Sequence, residues 1–292
     1  MQSIAVADTL FTGEKTGPGW SEGDAPSTYA APIESVMLDG GRSNPVDDLS
    51  RRTGTPAADF AEQLAAKLPG ASVSGDTAVE GGRTIAEVES APMEQLVQQM
   101  LDLSDNTLAE AIQRHVALST GKEASFEGGS QATLDVLRQH GFDVEGVTLN
   151  DGSGLSVDNR ITAELLAEVV SVAAGGGAGA GAGSGGGGQT AGGDGRLATT
   201  LRPILGGLPV AGGTGTLSAR YDDGVRAQGR GWVRAKTGTI PSIGANALTG
   251  YLVTVEGRLL TFSLTTSGAR NTETAREALD TITATLRTCG CP

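Results

Sequence analysis

The last third of the chain carries the pattern that most constrains its fold, three strands in close succession followed by one amphipathic helix. The segment "GRGWVRAKTGTI" predicts a strand, and "NALTGYLVTVEGRLLTFSLTT" predicts a hairpin that turns at Glu256-Gly257. Apolar residues then recur every three or four positions in "TETAREALDTITATLR": Ala275, Leu279, Ile282 and Leu286. This spacing predicts a helix with one apolar stripe that packs on the sheet. We therefore expect an α+β fold, an antiparallel sheet covered by helices.

Helices are also predicted upstream of this sheet. "TPAADFAEQLAAKLPG" begins with an early proline and ends at Gly70, as a helix does. "MEQLVQQMLDLSDNTLAEAIQRHVAL" is helical on both sides of Ser104-Asp105-Asn106, three residues that favour a helix cap and so predict a break there. "QATLDVLRQHGF" and "ITAELLAEVVSVAA" predict two more helices. Residues 175–195, in which 13 of 21 residues are glycine, are predicted to form a disordered surface loop.

Composition excludes several functional classes. The net charge of −13 makes nucleic acid and anionic membrane surfaces poor partners, and aromatic residues are only 3% of the chain. No apolar run is long enough to cross a membrane, and the first residues do not have the pattern of a signal peptide. The cysteines are Cys289 and Cys291, too few for a zinc site. The sequence has no cluster of histidine, cysteine and acidic residues typical of a metal site, and no cofactor is expected.

Three short motifs occur in order: "SDN" at 104–106, "NDGSGLSVDNR" at 150–160 and "AKTGT" at 235–239. Each is weak alone, because Ser-Asp-Asn is a common helix cap and Lys-Thr-Gly occurs twice in this chain. Together with "SDNTLAE", "DGSGLS" followed by "NR", "GTL", and "KTGT" followed by "GYL" and "FS", they are typical of one family. The chain resembles, over nearly its whole length, the class C low-molecular-mass penicillin-binding proteins, which are D-alanyl-D-alanine carboxypeptidases and endopeptidases.

The resemblance implies a serine β-lactamase/transpeptidase-like domain, with an antiparallel sheet flanked by helices, over residues 91–292. Residues 1–90 would be the end of an inserted module and the return into the main domain. The implied substrates are peptidoglycan stem peptides ending in D-Ala-D-Ala, and β-lactams would acylate the complete enzyme. Such a protein acts outside the cytoplasm, secreted or associated with the cell wall.

The resemblance also implies catalytic roles for three residues. Ser104 would pass a proton towards the leaving amine, and Asn106 would hydrogen-bond the amide of the substrate backbone. Lys236 would support this proton relay and hold positive charge facing the terminal carboxylate.

The residues after Lys236 would bind substrate. By the same resemblance, Thr237 would donate a hydrogen bond to the terminal carboxylate, and the main-chain N–H of Thr239 would help to form the oxyanion hole. Gly238 would let the ligand backbone approach the strand without a side chain in the way. Ser153 and Leu155, within "DGSGLS", are further candidate substrate contacts.

The first Lys-Thr-Gly, at 15–17, is interpreted as a coincidence, because Pro18 and Gly19 follow it and a central strand cannot continue there. The segment after it matches the family at a tryptophan, an acidic residue and a tyrosine that border the substrate cleft. Trp20, Asp24 and Tyr29 are therefore candidate substrate contacts, with ordinary loop packing an equal alternative.

The nucleophile is the missing part of the pattern. A nucleophilic serine would have a lysine three residues later on the same helical face, and the family has this pair well before Ser-Asp-Asn. The one Ser-x-x-Lys pair in this chain is Ser119 and Lys122, at the end of the helix that Ser104 precedes, and we interpret it as a chance match.

We therefore expect the chain to lack the amino-terminal part of its family. Either Met1 is internal to a longer gene, which we favour because the later motifs are intact, or the protein is degenerate and never acylates. Two alternatives to the carboxypeptidase stay open. One is a non-catalytic fragment that binds peptidoglycan, and the other is a β-lactamase or esterase on the same scaffold.

Overall fold

The computed structural model describes residues 3–75, 82–176 and 194–288. These form two compact units, each assembled from separate stretches of chain. The first draws on the described residues of Met1–Pro92, Asp105–Thr133 and Asn150–Asp158, and the second on those of Met93–Ser104, Leu134–Leu149 and Asn159–Pro292. The division into residues 1–90 and 91–292 stays a prediction. The first unit also includes two stretches beyond residue 92. Most of the predicted glycine-rich loop and both cysteines lie outside the described residues.

The first unit is mainly helices and turns. Its two strands, β1 (Ser3–Ile4) and β2 (Ser72–Val73), pair in parallel. The helix α1 (Pro56–Lys67) has its proline in the first turn, where no backbone N–H is needed, as predicted. Further along the chain follow the helix α3 (Asn106–Ser119) and the first half of α4 (Phe126–Gln139).

The predicted break at Ser-Asp-Asn is confirmed. The helix α2 (Met93–Leu103) ends just before Ser104, whose φ of 55° is incompatible with a continuing right-handed helix. Asp105 caps α3, because its side chain accepts a hydrogen bond from the backbone N–H of Leu108 at 3.1 Å. Asn106 is thereby the first residue of α3.

The sheet of the second unit has the predicted three antiparallel strands. The strand β3 (Val233–Ile240) pairs with β4 (Ala245–Val253), which pairs with β5 (Leu259–Thr266). The hairpin between β4 and β5 turns where expected, at Gly257, which has a φ of 81°. Therefore β3 lies at an edge of this sheet, with Lys236 paired across to Thr249.

The helix α7 (Thr272–Thr288) covers one face of this sheet, and its Leu279 packs with Val233, Leu248 and Phe262. The predicted apolar stripe is wrong at Ile282, which is 45% exposed. Polar contacts decide how the helix is rotated. Buried Asp280 pairs with Arg220 at 2.6 Å, and buried Thr283 lies 2.7 Å from the Tyr221 hydroxyl, so these two residues take the inner face instead.

Helices also lie beside the rest of the sheet. The helix α5 (Ala163–Ala173) packs against β4 and β5 and against α6 (Asp194–Gly207), which in turn packs against α2. The sequence did not predict α6, whose Pro203 and two terminal glycines are helix breakers. Among the described residues, no helix combines the length and the apolarity that a bilayer crossing requires.

Candidate active site

The centre of the candidate site is a contact between a strand lysine and a serine at a helix end, both in the second unit. The Lys236 ammonium donates hydrogen bonds to Ser104 Oγ at 2.7 Å and to the carbonyl of Thr237 at 2.7 Å. The strand β3 sets the position of Lys236. Ser104 directly follows the end of α2 and has a left-handed backbone conformation. The two residues are 132 positions apart in the sequence.

Burial changes the acidity of this lysine. Loss of solvation disfavours the charged form, so the pKa of Lys236 falls from 10.5 to about 8. A lysine with this pKa exchanges its proton close to neutral pH, which is what a proton relay needs. The pair can therefore move a proton between a hydroxyl and an amine.

The outer edge of β3 is open beside this pair. The segment Pro209–Ala211 covers that edge only as far as Ala235, whose N–H donates to the Pro209 carbonyl at 3.0 Å. Because strand geometry repeats every two residues, the N–H groups of Thr237 and Thr239 point to the same side. In the described part of the chain no further segment pairs with β3 there. An extended peptide could pair with this edge.

Gly238 lies within this open stretch. A Cβ at this position would make only an ordinary contact, 3.5 Å from the Cβ of Ala247. Packing within the fold therefore does not require glycine at 238.

One residue at this edge was missed by the sequence reasoning. The hydroxyl of Thr216 lies 2.9 Å from that of Thr237. The signal was present in the "GTL" motif, in which Gly215 has a φ of 52° and lies so close to α2 that a Cβ would come within 2.3 Å of the Asp102 carbonyl oxygen. Glycine at 215 thus lets Thr216 approach β3.

Thr239 is also held from the side of α7. Its hydroxyl accepts hydrogen bonds from Arg276, at 3.0 Å from Nη2 and 3.3 Å from Nε. The sequence reasoning did not single out Arg276.

Asn106 belongs to the first unit and is brought next to Tyr29. The Asn106 side-chain amide donates to the Tyr29 carbonyl at 3.3 Å, and the Tyr29 side chain is largely exposed. The start of α3 is held by Asp105, which accepts from Arg42 at 2.7 Å and from Arg52 at 3.0 Å. Asp105 and Arg52 are both buried, so their pairing fixes the first turn of the helix.

The "DGSGLS" loop also belongs to the first unit, and two buried carboxylates hold it. Glu110 of α3 accepts from the N–H groups of Gly152 at 3.0 Å and Ser153 at 2.8 Å. Burial, and then the charge of Asp151, raise the pKa of Glu110 to about 7. Asp151 accepts from the indole N–H of Trp20 at 2.8 Å, so Trp20 is brought to this loop.

The remaining candidate contacts have more local surroundings. Leu155 is half-buried in the same loop, and its N–H donates to the Ser153 hydroxyl at 3.3 Å. Asp24 accepts from the N–H of Ser21 at 2.6 Å, which closes a turn within its own segment.

Two other patterns resemble catalytic motifs, and in these Lys15 and Ser119 bond to neighbouring groups of the fold. Lys15 pairs with Glu34 and lies 3.7 Å from Asp8, and the bond to Glu34 raises its pKa. The hydroxyl of Ser119 donates to the Val116 carbonyl at 2.9 Å, one turn back in α3. The acids around Lys15 thus favour its charged form, whereas burial lowers the pKa of Lys236.

Comparison with solved structures defines the class of fold. The chain is similar to penicillin-binding protein 4 of Haemophilus influenzae, with a TM-score of 0.73 at 17% identity, over 98% of this chain and 75% of that one. At this identity the likeness shows the fold alone. The predicted α+β class is confirmed.

The sequence comparisons define the family. The D-Ala-D-Ala carboxypeptidase 3 (S13) family matches residues 42–178 and 195–287, and the chain belongs to this family. It is 43% identical to carboxypeptidase DacB of Mycolicibacterium smegmatis and 38% identical to a carboxypeptidase of Mycobacterium tuberculosis, over 99% of this chain in both cases. The chain spans 58% of the length of each of these two relatives. The predicted family is confirmed.

Proposed function

We propose that this chain carries the proton-relay and substrate-binding part of a serine-type D-Ala-D-Ala carboxypeptidase. The observation that carries the proposal is the 2.7 Å hydrogen bond from Lys236 Nζ to Ser104 Oγ. Lys236 lies on β3, and the outer edge of this strand is open. Membership of the D-Ala-D-Ala carboxypeptidase 3 family supports the proposal. Two relatives that are 43% and 38% identical to this chain are also named carboxypeptidases.

The proposed chemistry is acyl transfer. A serine hydroxyl attacks the carbonyl carbon between two D-alanines, the C–N bond breaks, and water later hydrolyses the resulting ester. The leaving amine needs a proton, and Ser104 delivers it while Lys236 resupplies Ser104. The lowered pKa of Lys236, about 8, matches this task because the lysine can both give and regain a proton near neutral pH.

The remaining site residues bind the substrate. Thr237 hydrogen-bonds the terminal carboxylate, and the outward N–H of Thr239 donates to the oxyanion as it develops. Asn106 hydrogen-bonds the amide of the substrate backbone. Trp20, Asp24, Tyr29, Ser153 and Leu155 are proposed as contacts to the rest of the peptide.

The proposed substrates are peptidoglycan stem peptides ending in D-Ala-D-Ala, and the proposed place of action is outside the cytoplasm. Endopeptidase cleavage of peptide cross-links by the same residues is included in the proposal. A protein of the same fold is named a penicillin-binding protein. For this reason we also propose that the whole protein binds β-lactams.

The nucleophile is not assigned to any residue of this chain. Its one Ser-x-x-Lys pair contains Ser119, whose hydroxyl is engaged within its own helix. We therefore propose that the 292-residue chain binds D-Ala-D-Ala peptides without forming an acyl-enzyme. In a longer protein the same residues would serve a nucleophile outside these 292 positions.

The test is calorimetric binding of an Nα-acetylated peptide that ends in D-Ala-D-Ala. We expect measurable binding, weaker binding of the L-Ala-L-Ala peptide, and loss of binding in Lys236→Ala. Lys15→Ala is the matched control, since it removes the lysine of the other Lys-Thr-Gly copy and should bind as the unsubstituted chain does. Failure to bind the D-Ala-D-Ala peptide, or equal loss in both variants, would contradict the proposal.

Labelling with fluorescent penicillin tests whether this chain contains a nucleophile and whether it is a β-lactamase. We expect no covalent label on this chain. A labelled band that disappears in Ser119→Ala would make Ser119 the nucleophile, and rapid turnover of the antibiotic would favour the β-lactamase alternative.

A further inference from the structure

A small pocket in the first unit is lined by three arginines, Arg42, Arg51 and Arg52. Arg42 and Arg52 form an antiparallel bridge, and the N–H of Ser43 donates to the Arg51 carbonyl at 3.0 Å. The two ends of one loop are thereby brought together. The pocket has a volume of about 260 Å³, just below the range of about 300–1,000 Å³ that holds drug-sized ligands. It therefore suits a small ligand.

The buried charges at this pocket do not balance. The side chains of Arg42 and Arg52 are only 7% and 2% exposed, and both pair with Asp105, which is 3% exposed. Asp48 lies 4.0 Å from Arg42 but is 51% exposed, and Asp59, which lines the pocket, is half-buried. Water screens exposed charges more strongly than buried ones. Two buried guanidinium groups thus share one buried carboxylate, so a positive charge is in excess.

The two buried arginines also have N–H groups to spare. Within the residues that the structure describes, the Nε atoms of Arg42 and Arg52 are buried and have no hydrogen-bond partner. A buried donor without an acceptor is unfavourable, and more so on a charged group. Burial lowers the pKa of Arg52, and the charge of Arg42 lowers it further. Because both side chains line the pocket, an anion held there would supply an acceptor and a compensating charge.

Arg51 indicates which anion fits. It is exposed, and it forms no ion pair with any other described part of the chain. Guanidinium groups from three side chains present donors from several directions, and the hydroxyl-bearing Ser43 and Thr53 also line the pocket. A phosphate group has its oxygens arranged tetrahedrally and carries up to two negative charges, whereas a carboxylate is planar and carries one. The arrangement therefore favours phosphate.

We propose that Arg42, Arg51 and Arg52 bind the phosphate group of a small ligand. A small phosphate monoester and one unit of a phosphodiester polymer both carry this group. Binding here does not require the peptide chemistry proposed for Lys236, which belongs to the second unit.

The experiment measures dissociation constants by calorimetry for inorganic phosphate, glycerol 3-phosphate, the diester glycerophosphoglycerol and D-glycerate. D-Glycerate carries a carboxylate in place of the phosphate group on a similarly small polyol. The proteins are the unsubstituted chain, Arg51→Gln, Arg51→Lys and Arg83→Gln. Substitution of Arg51 leaves the buried pairs of Asp105 intact. Arg83 is exposed and does not line the pocket, so Arg83→Gln controls for the loss of one positive charge.

We expect glycerol 3-phosphate to bind the unsubstituted chain at least about 5-fold more tightly than D-glycerate, because phosphate carries more charge. Arg51→Gln should weaken binding of the phosphate probes about 10-fold, and Arg51→Lys should be intermediate. Arg83→Gln should bind as the unsubstituted chain does. Tighter binding of the diester than of the monoester would identify a polymer as the source of the phosphate, and the reverse order a small ester.

Three results would overturn the inference. One is that no phosphate probe binds the unsubstituted chain, with circular dichroism showing that the chain is folded. Another is that Arg51→Gln binds phosphate as tightly as the unsubstituted chain. The last is that D-glycerate binds as tightly as glycerol 3-phosphate, which would make the pocket a carboxylate site.

Discussion

The Lys236 ammonium lies 2.7 Å from Ser104 Oγ, and this single hydrogen bond joins residues that are 132 positions apart. It places the lysine of the second Lys-Thr-Gly motif against the serine of Ser-Asp-Asn, within one compact unit. The first Lys-Thr-Gly motif has no such neighbour, since Lys15 pairs with Glu34.

The lowered pKa of Lys236 predicts a pH dependence of stability. The unfolded chain keeps this lysine protonated up to about pH 10.5, whereas the folded chain releases the proton near pH 8. Between these values the unfolded state binds more protons, so this residue makes the free energy of unfolding rise with pH. Urea unfolding from pH 7.5 to 10.5 should show the rise, and Lys236→Met should remove it.

Lys67→Met is the control for this experiment, because Lys67 is exposed at the end of α1. It should leave the pH profile unchanged. An identical profile for the unsubstituted chain and Lys236→Met would show that the lysine is not desolvated as described.

The raised pKa of Glu110 predicts the opposite pH dependence of the free energy of unfolding, in a lower pH range. Its pKa is raised from 4.5 to about 7 in the folded chain, so its protonated form favours folding. The stability that it contributes is complete below pH 4.5 and is lost as the pH rises through about 7. Relative to Glu110→Gln, the unsubstituted chain should lose roughly 1–3 kcal/mol across this range.

The comparison is made by urea unfolding at several pH values, with Glu127→Gln as the control. Glu127 is exposed in the first turn of α4, and its replacement should not alter the difference between pH 4.5 and pH 7. Parallel profiles for the unsubstituted chain and Glu110→Gln would contradict the prediction.

At Gly215, the effect of a steric clash on stability can be separated from the effect of backbone strain. Gly215→Ala places a Cβ 2.3 Å from the Asp102 carbonyl at a φ of 52°, so both clash and strain apply. Gly224→Ala has a similar φ of 50° but meets nothing within 4 Å. We expect Gly224→Ala to cost about 1 kcal/mol and Gly215→Ala about 2–4 kcal/mol in the free energy of unfolding.

Chemical denaturation measures both costs. Gly215→Ala should also weaken peptide binding, because Thr216 is displaced from Thr237, whereas Gly224→Ala should bind normally. Equal costs for the two variants would mean that Gly215 does not pack closely on the end of α2.

Asp105 predicts a large effect of breaking a buried ion pair. Asp105→Ala leaves the buried Arg52 guanidinium without its carboxylate, leaves Arg42 with Asp48 at 4.0 Å as its acidic partner, and removes the cap of α3. The expected loss is about 3–5 kcal/mol in the free energy of unfolding. Asp223→Ala breaks an exposed pair with Arg226 and should cost no more than about 1 kcal/mol.

Thermal or urea unfolding of the two variants provides the measurement. A loss below about 1 kcal/mol for Asp105→Ala would show that the two arginines find other partners.

Much of the fold follows from local patterns. The three strands, the turn at Gly257, the break at Ser104 and the helix after Pro56 each depend on residues close in sequence, and each is found where it was predicted. The helix α6 and the rotation of α7 were not predicted correctly. Both depend on partners elsewhere in the chain, which for α7 are Arg220 and Tyr221.

The sequence alone determined that the chain has the Ser-Asp-Asn and Lys-Thr-Gly motifs and the strand and helix that hold them, because propensities and periodicity act over a few residues. The tertiary structure decided which lysine loses its solvation and which hydroxyls gather at the edge of β3. Desolvation and side-chain pairing depend on atoms brought together from distant parts of the chain, as Lys236 and Ser104 are. For the same reason Thr216 and Arg276 could be placed beside the motif only after the chain was folded.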